Sequence, residues 1–152
     1  MNLSAYKYKL MKRGDVDMNY ENIKVGDTAS FSKTITEYDV YGFAGITGDF
    51  NPVHINNEKA KESIFGERIA HGMLSASLIS TVLGTHLPGE GTVYLGQDIK
   101  FKLPVKFGDT LTAKVEVLEK NDDKRIIKLL TQVHNQDGKI VVDGVATVLK
   151  KN

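Results

Sequence analysis

Two stretches of this chain carry side chains that could do chemistry: Gly48-Asp49-Phe50-Asn51-Pro52-Val53-His54 and, after a short link, Ile69-Ala70-His71-Gly72-Met73-Leu74. An acid and a histidine form a general acid/base pair if their side chains converge. A glycine opening an apolar helix offers a backbone N–H, backed by the helix dipole, to developing negative charge. In one continuous α-helix Asp49 and His54 would stand about 140° apart around the axis, and in a strand they would fall on opposite faces. Only a turn lets them meet, and Pro52 supplies it. Proline fixes its own φ and drives Asn51 out of the helical region, while Gly48 suits the position just past a helix end. The same residues fit a plainer arrangement, an Asx turn in which Asp49 and Asn51 bond only nearby backbone.

The elements that must position these residues follow from periodicity. Ala29, Phe31, Lys33 and Ile35 alternate with Thr28, Ser30, Ser32 and Thr34, which predicts a strand. Thr36 reads as an N-cap with acids in the first turn, opening a mostly apolar helix that ends near Thr47-Gly48 and delivers Asp49. Of two candidate caps for the next short helix, to Ser63, Asn57 is preferred over Asn56 because Glu58 then falls in its first turn. From Ala70 to about Leu83 apolar residues cover most of a helix circumference, so that helix is expected to be buried. Four strands follow, over 92–101, 110–119, 125–135 and 139–150, with Asp137-Gly138 as a hairpin turn between the last two. With no helix between them they are expected to be antiparallel. The fold class is therefore α+β, a single domain over residues 21–152 in which an antiparallel sheet curls around one long helix. Residues 1–20 read as an extension, and Met18 as a possible start. Free sheet edges suggest pairing with a second copy, a homodimer.

Composition narrows the function. The chain has 152 residues and a formal net charge of +1, which suits one ordinary domain and lacks the concentrated cationic field a nucleic-acid surface needs. Cysteine is absent, removing disulfides, thiolate metal sites and a cysteine nucleophile, and suiting a reducing cytoplasm. The four histidines, at 54, 71, 86 and 134, lack metal-ligand spacing. No run approaches the roughly 20 apolar residues of a membrane span, and the basic start lacks the apolar stretch of a signal peptide. The chain reads as soluble.

Four motifs, in order, then become recognisable: Ala44-Gly45-Ile46-Thr47-Gly48-Asp49-Phe50-Asn51-Pro52-Val53-His54, Ala70-His71-Gly72-Met73-Leu74, Tyr94-Leu95-Gly96-Gln97, and Phe101 through Asp109. Over about residues 22–150 the chain resembles the MaoC-like, R-specific enoyl-CoA hydratases of the hot-dog fold. Asn56-Asn57 departs from the Asp-Pro that relatives often carry. The resemblance implies Asp49 and His54 as the catalytic pair, Gly72 as the backbone hydrogen-bond donor and Ser80 as a serine supporting the site. It also implies reversible addition of water to a trans-2-enoyl-CoA, giving the (3R)-3-hydroxyacyl-CoA, with no metal or redox cofactor. Two alternatives stand beside it: a hot-dog acyl-CoA thioesterase, and a non-catalytic acyl-CoA-binding module. His71 reads as a buried histidine that bonds backbone at the helix start, with a catalytic role as its alternative.

Overall fold

Period-two patterning becomes one antiparallel sheet of five strands, β1 (Thr28–Thr34), β2 (Thr92–Phe101), β3 (Thr110–Asn121), β4 (Ile126–His134) and β5 (Ile140–Lys150), in the order β1-β3-β4-β5-β2. The computed structural model describes residues 18–152; of the expected extension over 1–20, residues 1–17 lie outside the described residues. The chain has joined the core by Tyr20, which is 2% exposed and donates its hydroxyl to Asp122.

Leu111, Ala113, Val115 and Val117 of β3 point inward at every second position and are fully or almost fully buried. They face α4 (Gly72–Thr85), which packs against all five strands through Leu78, Ile79, Val82 and Leu83. The Asp137-Gly138 turn closes β4 onto β5 as expected, with Gly138 at φ 74° and the Asn135 N–H bonded to the Lys139 carbonyl. Among the described residues no helix is long and apolar enough to cross a membrane.

Two expectations are corrected. Asn56, not Asn57, caps α3 (Asn57–Lys61): its backbone is extended and its side chain accepts the Lys59 N–H at 3.1 Å, whereas Asn57 is already helical. Glu58 lies in the first turn under either assignment, so its charge could not decide between them. The central helix is also less enclosed than its composition suggested, because Met73, Ser77, Ser80 and Gly84 form one exposed stripe along it.

Candidate active site

Helix α1 (Glu37–Thr47) is set at its start by a capping box, in which Thr36 accepts the Asp39 N–H and Asp39 accepts the Thr36 N–H. Arg68 holds the helix laterally through an ion pair with Glu37 at 2.6 Å and a hydrogen bond to the Tyr41 hydroxyl. At its end Gly48 takes φ 77°, a left-handed conformation that a side chain disfavours, and its N–H closes on the Ala44 carbonyl. The chain then reverses. The Asp49 N–H bonds the Thr47 hydroxyl, an Asp49 carboxylate oxygen accepts the Asn51 N–H, and the Asn51 side chain accepts the Val53 N–H.

Those bonds form the Asx turn of the plainer reading, and they also produce the convergence of the chemical one. Pro52 opens the single-turn helix α2 (Pro52–Ile55), which swings His54 back toward Asp49. His54 is 8% exposed, and its Nδ1–H donates to the Ile69 carbonyl at 2.8 Å. That bond assigns the tautomer and leaves the Nε2 lone pair free. Burial holds the His54 pKa below the usual 6.5 and the nearby His71 acts the same way; the Ile69 hydrogen bond and Asp49 pull against them.

His71, the N-cap of α4, is 2% exposed and donates from Nε2 to the Asp49 carbonyl at 2.9 Å. Its ring stacks on that of His54, with centroids 3.8 Å apart and planes inclined by 28°. Gly72 is the first residue of α4, where a backbone N–H has no partner within the helix. The space its missing side chain frees is occupied: a Cβ there would stand 2.8 Å from the Phe101 ring. Glycine thus lets Phe101 close over the helix start.

Asp49, His54, His71, Gly72 and Phe101 line one cavity of about 680 Å³, otherwise walled mainly by apolar side chains that include Phe43, Met73, Leu103 and Val142. Asp49, His54 and His71 each place a possible ligand atom within 4.8 Å of the others. A metal fits them poorly. Imidazole lone pairs lie in the ring plane, so two nearly parallel stacked rings cannot both aim at one ion between them.

Of the residues singled out in the sequence, Asp49, His54 and Gly72 come together here, and Ser80 does not. Ser80 is exposed on the open stripe of α4 and is not among the residues lining the cavity. Ser75 does line it, buried, with a hydroxyl that has no hydrogen-bond partner among the described residues. It lies one helical turn after Gly72, and that spacing was the available signal. Phe101 gave none, since its contact with Gly72 spans two distant elements. His86 is exposed and His134 half-buried, and neither lines the cavity.

The family model described as MaoC like domain matches residues 21–139. The chain is 48% identical over 140 residues to a Rhodospirillum rubrum protein named (R)-specific enoyl-CoA hydratase, covering 91% of this chain and 96% of that one. A Methylorubrum extorquens 3-hydroxybutyryl-CoA dehydratase is 46% identical over 129 residues, 85% of this chain and 82% of its own. Among solved structures, the Aeromonas caviae (R)-hydratase involved in PHA biosynthesis matches with a TM-score of 0.83 at 44% identity, covering 86% of this chain and 98% of that one.

Proposed function

The chain belongs to the MaoC-like family of the hot-dog fold, and from that premise and the site's geometry we infer that it is an (R)-specific enoyl-CoA hydratase. It adds water reversibly to a trans-2-enoyl-CoA and yields the (3R)-3-hydroxyacyl-CoA. The observation that carries the reading is the meeting of Asp49, His54 and the first turn of α4 in one mostly apolar cavity.

Hydration needs a base for water, a proton for the α-carbon and a donor for the thioester oxygen as enolate-like charge develops. Neutral His54 accepts a water proton at Nε2, while the Asp49 carboxylate orients the same water. Its oxygen bonds to C3 as the double bond's electron pair moves toward C2 and the carbonyl. The proton is then returned to C2, so one water supplies both added groups and the addition is syn. The Gly72 N–H faces the thioester oxygen, where the α4 dipole favours the charge. The reaction is redox-neutral, and acid/base groups with one hydrogen-bond donor meet its needs.

The working unit is a homodimer. Supporting this are the exposed Val93, Tyr94 and Leu95 on edge strand β2 and the open stripe of α4, surfaces that a second copy would cover. Ser80 stands on that stripe, so its supporting role belongs to the assembled dimer. A cysteine-free chain suits a reducing cytoplasm. The reading is tested with crotonyl-CoA and longer enoyl-CoAs, by following loss of the conjugated thioester and resolving the product's configuration. A (3R) product supports it; release of free thiol without hydration would replace it with a thioesterase.

A further inference from the structure

Resting on the hydratase reading for its kinetic consequence alone, we propose that His71 is a positioning residue that holds both members of the Asp49–His54 pair at once. Its Nε2–H fixes the Asp49 carbonyl at 2.9 Å, and its ring face fixes the His54 ring at 3.8 Å.

Each partner needs such a hold. Asp49 sits in a turn between two helices, with its side chain open to the cavity and its N–H bonded to the Thr47 hydroxyl. Fixing the Asp49 carbonyl fixes the plane from which its carboxylate is aimed. Among the described residues His54 has one ring hydrogen bond, to Ile69, and a ring held at a single nitrogen can swing about it. A second ring laid against its face removes that freedom. Phe43 backs His71 in turn, with ring centroids 5.0 Å apart, so α1 and α4 clamp the assembly from two sides.

Packing alone does not explain a histidine here. The His71 Nδ1 is buried and has no hydrogen-bond partner among the described residues. A phenylalanine would fill the same space without leaving a polar atom unsatisfied. What histidine adds is the donor to Asp49, together with a ring that disfavours positive charge on its neighbour. Asp49 and His71 are the titratable groups acting on His54, and Lys102, just past β2, is the other charged residue lining the cavity. Asp49 favours the charged imidazole and His71 opposes it, keeping the Nε2 lone pair available for water.

The test uses two variants of the full chain. His71→Phe keeps a ring and loses the donor; His71→Gln keeps a donor at similar reach and loses the ring. Melting temperature, kcat and KM for crotonyl-CoA, and the His54 ring titration by nitrogen-resolved NMR are measured on each. The expected result is two folded proteins in which His71→Phe lowers kcat about tenfold with little change in KM, a loss typical of a misaimed group. His71→Gln regains much of that loss at alkaline pH. In both, the His54 midpoint moves upward and the acid limb of kcat moves with it. Wild-type kcat and an unmoved His54 midpoint in both variants would overturn the proposal. So would a loss of activity that only tracks loss of folded protein. Should the wild type fail to hydrate enoyl-CoA, the hydratase reading falls by itself, and the His54 titration still decides whether His71 holds that ring.

Discussion

One wall of the cavity, running from His54 through Ile69 and Ala70 to His71, is buried and tied by backbone hydrogen bonds, whereas the facing wall, Phe101 to Pro104, is exposed at every residue. The first wall is complete within one chain. Ile69 and Ala70 bond Val53 and Val105, the His54 and His71 rings stack on each other, and His54, one of the proposed catalytic pair, is held within that wall. The second wall hangs from the end of an edge strand that also exposes Val93, Tyr94 and Leu95. The groups proposed to do the chemistry are therefore preorganised in the protomer, while the exposed wall is the one that the proposed dimer would complete.

The largest expected effects lie at the buried wall and the turn that faces it. Asp49→Asn and His54→Ala should each lower hydration by about 10² to 10⁴-fold with the fold intact, as for other general acid–base groups. Because both act on one water, the double variant should fall short of the product of the two losses. Fully multiplicative losses would separate their roles and break the shared-water account.

At the junction of the two walls, Gly72→Val should lower turnover by on the order of 10²-fold, the scale of losing one oxyanion donor. The new side chain meets the Phe101 ring directly, so that ring must swing outward. Circular dichroism and kcat on one sample separate this from misfolding, and normal turnover would move the oxygen-binding position elsewhere.

The open wall is tested through assembly. Leu95→Lys on β2 should convert the proposed dimer to monomer by sedimentation velocity and raise KM more than it changes the Asp49–His54 chemistry. A fully active monomer would mean that this wall needs no second copy.

How much of this was legible beforehand differs between the walls for the same physical reason. The strand read over 92–101 matches β2 at both ends, Thr92 and Phe101. That reading could not report that β2 lies at an edge, since strand order is set by which elements meet in space. Pro52 and Gly48 announced the reversal that joins Asp49 to His54, as local turn chemistry is written in a few adjacent residues. Half of the arrangement of His71 was legible, its burial and its bond to backbone; that the carbonyl belongs to Asp49, 22 positions away, and that its ring meets His54 was not, since nothing near it in sequence says so. Ser80 and Ser75 show the same limit, because a serine-rich helix does not state which serine faces the cavity.

A smaller effect follows from burial of His54. Its folded pKa lies below the ordinary 6.5, so between those two values the unfolded chain binds more protons than the native one. Stability from this group is complete above 6.5, declines as pH falls toward the folded midpoint, and levels off beneath it. Denaturant titrations of wild type and His54→Phe across that window should differ in slope, the wild type being the steeper. The acid limb of hydration should likewise lie below 6.5.

The central claim, that one water held by Asp49 and His54 supplies both added groups, is tested most directly by hydrating crotonyl-CoA in deuterium oxide and assigning the product by proton NMR and chiral analysis. The account predicts (3R)-3-hydroxybutyryl-CoA with deuterium at C2 on the same face as the new hydroxyl. A (3S) product, or deuterium on the opposite face, would contradict it.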